Sequence, residues 1–340
     1  MLGASFYVAE MLTRSFFLCK VVAQLQEEYM RYADPTQLLR IAIADAYAAG
    51  AEFLKFPRDN DVRDSCLAFK GYVAHPTHGH VAGSYTDDTE MSVANARVLL
   101  DCTPPYTPLM FADAYMKEFV RGGRRKGYAK GFQSVLESVR TGTELLAKLN
   151  PDSRKNGAMM RAVSFGVLPT IAHVLEVATV QASITHNTPE GLFSARAVAL
   201  MSHFALYENL PLYLMACYCQ DHLPKEDLKS FGSVFSGSYS EAPVAATADH
   251  SIAITTTHAV VDLVIGVDVA NNSLMQMLDR LLRWGGDTDS VAAVAWGIAS
   301  PRFQDERLPD FMERDLEQGN PYTGAPYLRA LGAQLMEKFG

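Results

Sequence analysis

Two short acidic clusters lie far apart in the chain: Tyr85-Thr86-Asp87-Asp88-Thr89-Glu90 and Gly285-Gly286-Asp287-Thr288-Asp289-Ser290. Carboxylates this close together, with hydroxyls between them, suit hard divalent cations, which prefer oxygen ligands. Brought together, Asp87, Asp88, Asp287 and Asp289 would balance the charge of two such ions. The chemistry expected is that of a two-metal enzyme. The plain alternative is helix capping: Asp87 and Glu90 stand three apart before an apolar run, and Asp289 could cap a second helix. A cap, however, needs one such side chain, not Thr-Asp-Asp at one place and Asp-Thr-Asp-Ser at another. The two roles are also compatible, because a helix N-terminus stabilises the ionised carboxylate that binds metal.

The elements that must carry these clusters read as helices. Met91, Ala94 and Val98 share one face after the first cluster, and Val291, Val294, Ala295 and Ile298 share one after the second. Leu38–Ala49, Thr143–Leu149, Ala172–Ser183, Leu192–Tyr207 and Leu274–Leu282 have helical spacing too, separated by breakers such as Thr103-Pro104-Pro105 and Gly122-Gly123. Ser251–Val269 is rich in Ile, Val and Thr, so local propensity alone favours strand for part of it.

The chain has 340 residues, of which 49% are apolar and 20% charged, enough apolar material for a well-buried core and unlike a disordered protein. A net charge of -8 argues against a general nucleic-acid or anionic-membrane binder. Cys19, Cys66, Cys102, Cys217 and Cys219 form no disulfide framework, which points to a reducing compartment such as the cytoplasm. The apolar run from Ser15 to Val22 is short and broken by Lys20, whereas a spanning helix needs ~20 mostly apolar residues. Residues 10 to 32 are expected to form an amphipathic helix ended by Asp34-Pro35.

Thr86-Asp87-Asp88-Thr89 and Gly285-Gly286-Asp287-Thr288-Asp289-Ser290 resemble the early and late motifs of the ADP-ribosylglycohydrolase family, which includes the dinitrogenase reductase-activating glycohydrolases. Ser290 stands where Thr is usual and keeps the hydroxyl. Three more segments match in order: Ala44-Asp45-Ala46 through Gly50-Ala51-Glu52-Phe53, Asn156-Gly157-Ala158-Met159-Met160-Arg161, and Thr185-His186-Asn187. Five ordered matches are far more specific than one short motif.

The resemblance implies an all-α fold: a single compact multi-helix domain over residues 36–340 with a central two-metal cleft, to which the helix expected within residues 10 to 32 adds an N-terminal helical extension over residues 1–35. It also settles Ser251–Val269 as helix. It implies two divalent cations, Mg2+ or Mn2+. Thr86, Asp87, Asp88 and Asp289 would hold one, and Asp287, Asp289 and Ser290 the other, with Asp87 or Asp88 bridging. The substrate would carry a glycosidic bond at C1″ of ADP-ribose, cleaved with oxocarbenium character and protonation of the leaving side chain. Glu52 is the expected acid/base, with Asp88 as the alternative. Asn156, Gly157 and Met160 would border the ADP-ribose cleft, and His186 would contact the adenosine half. The loop around Gly127-Tyr128, with Arg121, Arg124, Arg125, Lys126 and Lys130, would receive pyrophosphate or a modified macromolecule. Departures from the family pattern at Glu241–His250, Ser251-Ile252-Ala253, Trp284 and Trp296 are expected to affect substrate choice more than metal binding.

The leading expectation is therefore a metal-dependent hydrolase that removes ADP-ribose from an ADP-ribosylated protein, with arginine as the modified residue and ADP-ribose as product. Serine-linked, O-acetyl- and nucleic-acid-linked ADP-ribose are alternatives within the same chemistry. A second class is a binding or immunity-type module that has lost turnover. A third is zinc chemistry at His75-Pro76-Thr77-His78-Gly79-His80.

Overall fold

The computed structural model describes residues 30–79, 81–266 and 273–340. Most of the expected N-terminal helix and the end of the Ser251–Val269 segment lie outside the described residues. At the centre are two helices, α1 (Gln37–Ala48) and a helix late in the chain, Thr288–Ala299, each buried along its whole length. A helix buried on every face belongs in a core, not on a surface. Their alanines let the backbones approach closely. A Cβ at Gly297 would lie 2.6 Å from Ile41 Cγ1, so only glycine fits there.

Polar side chains on α1 are all put to use. The Gln37 amide donates to the Gly297 carbonyl (2.9 Å), and Arg40 donates to the carbonyls of Ser300 and Phe303 (3.1 and 2.7 Å). A buried amide or guanidinium without such partners would be costly.

Around this pair, α1 and the late helix α8 (Thr288–Ala299), stand α2 (Asp87–Asp101), α3 (Pro108–Arg121), α4 (Ile171–Ser183), α5 (Pro189–Tyr207), α6 (Ile252–Ile265), α7 (Leu274–Trp284) and α9 (Ala325–Phe339). Helix α2 packs on α1 and α3, α4 on α5, and α6 on both α5 and α8. Thr86, Thr107, Thr170, Thr188 and Ser273 each cap a helix by accepting a backbone N–H. Among the described residues there is no strand, only the isolated bridges Asp152–His186 and Val244–Gly286. The fold is thus all-α, one domain with a single contiguous core.

Helix α6 overrides its local β-propensity. Its Thr256 and Thr257 are fully buried, and Thr257 returns its hydroxyl to the Ala253 carbonyl at 2.8 Å. No described helix is long and apolar enough to cross a membrane.

Candidate metal centre

Both acidic clusters sit at helix N-termini, and the fold brings those two ends together. Asp87 and Asp88 open α2, and Asp289 lies in the first turn of α8 behind Asp287, its N-terminal boundary residue. The turn into α8 depends on two glycines, Gly285 at φ 76° and Gly286 at φ 83°. A Cβ on Gly286 would lie 2.2 Å from the backbone N of Val244, which pairs with this turn through Val244 N–H to Gly285 O (2.9 Å) and Asp287 N–H to Val244 O (2.8 Å). The glycines therefore serve both the left-handed conformation and the close approach.

Two carboxylate groups result. Asp45, Asp88 and Asp289 form one; Glu52, Asp287 and Asp289 form the other. Within each, one oxygen per residue lies within 4.8 Å of its neighbours, and Asp289 is common to both. Asp87 lines the cleft beside them but belongs to neither group.

Asp45 is the site residue that sequence reading did not assign. It is a lone carboxylate in the apolar helix α1, completely buried. It accepts from the backbone N–H of Thr86 (3.0 Å) and Thr89 (3.1 Å) and from their hydroxyls at 2.9 and 2.6 Å. The first cluster is thus bracketed onto the central helix. The Thr86 hydroxyl is engaged between Asp45 and Asp88 Oδ2 (3.1 Å), which makes it a bracket in this arrangement. The signals for Asp45 in the sequence were an acid placed inside the apolar run Leu38–Ala49 and its place in the matching segment Ala44-Asp45-Ala46.

Burial raises the pKa of every member of this cluster for which a shift is resolved. Asp88 and Asp289 are pushed well above the ordinary carboxylate range, by desolvation first and then by neighbouring carboxylates. Asp87 and Asp287 rise for the same first cause, and Asp45 is pushed up to about 6 despite its hydrogen bonds from Thr86 and Thr89. Asp88 Oδ1 is buried with no hydrogen-bond partner. An all-oxygen donor set with an orphaned carboxylate oxygen fits divalent cations of the Mg2+ or Mn2+ kind. The proton-binding tendency is what the same acids show without a cation.

Asn156 donates to Asp287 Oδ2 at 2.9 Å, and the Ser290 N–H donates to Asp289 Oδ1 at 2.9 Å on the same cleft wall. Gly157 lies against His186: an added Cβ would be 2.9 Å from its Cε1. His186 is buried against the Thr185 hydroxyl (2.6 Å), and burial lowers its pKa to about 3, so it is neutral. Met160 lines the same cleft, whose volume is about 1160 Å³.

Several expected contacts lie elsewhere. Tyr128 donates to Glu90 (2.6 Å) from behind the wall formed by its neighbours Gly127 and Ala129. Arg125 points inward to Glu317, Glu90 and the Tyr85 carbonyl, and Arg121 pairs with Glu118. The cations that line the cleft are instead Lys148, Arg154, Lys155 and the buried Arg161; Arg154 is paired with Glu190, and Arg161 donates to Gln181 and Thr185. Trp284 and Trp296 are buried away from the cleft; Trp296 Nε1 donates to Leu274 O at 2.9 Å. Residues 245–252 do form cleft wall.

Two of the three histidines of the candidate zinc run, His75 and His78, are turned toward Glu52. His75 Nδ1 accepts the N–H of Thr77 and of His78 (3.1 and 2.9 Å), and its Nε2 meets the Glu52 carbonyl at 2.7 Å. His78 Nδ1 lies 2.8 Å from Glu52 Oε2, which raises the His78 pKa. His80 lies outside the described residues.

A family model described as ADP-ribosylglycohydrolase matches residues 38–339. A solved structure described as an ADP-ribosylglycohydrolase-related protein complex shares the fold, with a TM-score of 0.66 and 22% identity over 93% of this chain and 100% of that one. No curated protein matches the chain.

Proposed function

Because the chain belongs to the ADP-ribosylglycohydrolase family, whose members hydrolyse ADP-ribose linkages, we propose that its substrate is a protein carrying ADP-ribose on arginine. The observation that carries this reading is the pair of carboxylate groups sharing Asp289 on one cleft. Asp45, Asp88 and Asp289 would hold one divalent cation, and Glu52, Asp287 and Asp289 the other, with Asp87 and Ser290 beside them. When bound, such ions supply positive charge that fixes the ribose hydroxyls and stabilises charge at the reacting centre.

The remaining work falls to the chain's own residues. Asn156 holds Asp287 in place, and Gly157 leaves room for ligand beside the neutral His186 ring. Lys148 and Lys155 offer the cleft's cationic lining to the pyrophosphate. Glu52, partly exposed at the mouth, would take a proton from the attacking water and pass it to the departing side chain; Asp88 is the more enclosed alternative. Beside Glu52 stands Phe53, with 41% of its surface exposed to the cleft mouth. A carboxylate next to an open aromatic face suits a planar guanidinium, which favours arginine over serine as the leaving residue.

The test is release of free ADP-ribose from arginine- and serine-modified proteins, with Mg2+ or Mn2+ and with chelator. Metal-dependent release from the arginine substrate is expected. Release from the serine substrate alone would refute the linkage. Binding of ADP-ribose without release from either would refute turnover and favour a binding module.

A further inference from the structure

The His75–His78 turn bears directly on the geometry of the carboxylate groups. It lies outside both carboxylate groups and holds Glu52 at two separate points. His75 Nδ1 accepts two backbone N–H groups, so its proton resides on Nε2 and is donated to the Glu52 carbonyl at 2.7 Å. The His75 ring stacks on the His78 ring, with centroids 3.6 Å apart and planes 23° apart. That stack delivers His78 Nδ1 to Glu52 Oε2 at 2.8 Å. A third tie follows at once in the chain: the Phe53 N–H donates to the Gly286 carbonyl at 2.8 Å, which fastens the Glu52 segment to the turn carrying Asp287. Phe53 accepts φ 46° to make that bond, an unfavourable conformation for a non-glycine residue.

Glu52 is thus fixed at its carbonyl, at the next amide and at its carboxylate. It is also the one member of the two carboxylate groups that is not fully enclosed: its side chain is 21% exposed, where a glutamate would otherwise sample several rotamers. We infer that His78 is a positioning residue for this centre, holding the Glu52 carboxylate toward Asp287 and Asp289, with His75 as the platform that aims it. The inference rests on the reading of that acid group as a cation site. It follows the general rule that ligating carboxylates are themselves oriented by hydrogen bonds, whose loss weakens metal affinity or activity about 10–100-fold.

The experiment is calorimetric titration of the whole chain with Mn2+, using His78→Ala, His78→Asn, Glu52→Gln and the double variant Glu52→Gln/His78→Ala. His78 is 37% exposed, so truncating it opens no core cavity, and a matching melting curve confirms the fold. His78→Ala should weaken one Mn2+ equilibrium about 10–100-fold. His78→Asn, whose amide nitrogen overlays Nδ1, should recover most of that loss. The double variant should bind no more weakly than Glu52→Gln alone, because His78 acts through Glu52. In turnover, kcat should fall while KM stays near the wild-type value.

Unchanged Mn2+ binding in His78→Ala overturns the inference, as does an additive double variant or a His78→Asn variant no better than Ala. If the wild type binds Mn2+ yet releases no ADP-ribose, the proposed activity fails while the titrations still decide the role of His78. If the wild type binds no Mn2+, both fail.

Discussion

Replacing Asp45 separates its two jobs, because Asn and Ala remove different things. In Asp45→Asn the remaining oxygen can occupy the Oδ2 position, where it keeps the N–H groups of Thr86 and Thr89 and the Thr89 hydroxyl. The new amide then donates to the Thr86 hydroxyl, whose own proton turns to Asp88. Every hydrogen bond is satisfied and only the charge is lost. With its pKa raised from 3.8 to about 6, the Asp45 carboxylate costs the metal-free protein up to about 3 kcal/mol at neutral pH. Its removal should raise the metal-free melting temperature. At ~2.1 cal/mol/K per residue, 1 kcal/mol corresponds to about 1.5 °C in a chain of this size, so the gain is about 4 °C.

Asp45→Ala removes the same charge but strands the two backbone N–H groups, at about 1–3 kcal/mol each. It should therefore melt about 3–9 °C below the Asn variant. With Mg2+ or Mn2+ added, both variants should lose the part of the metal-induced rise that comes from the ion held by Asp45, Asp88 and Asp289. One unit charge at ~4 Å is worth about 4 kcal/mol per ionic charge at an effective dielectric of 20, or at least about 100-fold in affinity. Differential scanning fluorimetry with and without metal reads all of this. If Asp45→Asn lowers the metal-free melting point and leaves the metal-induced rise intact, Asp45 is only a hydrogen-bond bracket and the charge argument is wrong.

Four further outcomes are expected. Asp289→Asn, the change at the shared carboxylate, should reduce Mn2+ binding from two ions to none, whereas Asp88→Asn and Glu52→Gln should each leave one; equal stoichiometry in all three variants would contradict the sharing. The acids with raised pKa retain protons in the native chain that the unfolded chain has released near pH 4, so the metal-free protein should lose stability as pH rises through about 6, and the metal-induced rise in Tm should grow between pH 5 and 8. Gly157→Ala, with its Cβ 2.9 Å from His186, should weaken ADP-ribose binding at least about 10-fold in a direct binding assay without changing Mn2+ affinity. Arg125→Met leaves Glu90 and Glu317 buried without their cation and should cost about 3–5 kcal/mol in chemical denaturation.

What the sequence made legible was local. The acidic clusters carry their own helix starts, and the paired glycines at 285 and 286 announce a turn, so Asp88, Asp287 and Asp289 could be named before their meeting was visible. Helix α6 was assigned by resemblance, since its Ile, Val and Thr content points the other way and only tertiary packing reverses it. Asp45 escaped assignment because its partners, Thr86 and Thr89, belong to another helix. The basic run 121–130 misled for the complementary reason: charge along a chain says nothing about direction, and Arg125 turns inward to Glu317. The cations that do reach the cleft, Lys148, Arg154, Lys155 and Arg161, are spread over fourteen residues from a helix end onward and form no dense run. The tryptophans were conspicuous by size, yet both pack away from the cleft.

The bridge between Val244 and Gly286 also sets a boundary for redesign. Residues 245–252 form one wall of the cleft and begin immediately after the residue whose N–H and C=O both grip the Gly285–Asp287 turn. Everything after Val244 in that wall can be exchanged to admit a differently shaped partner, with the acids left in register. A graft that begins one residue earlier replaces the splint itself, and would alter specificity and cation geometry in the same stroke.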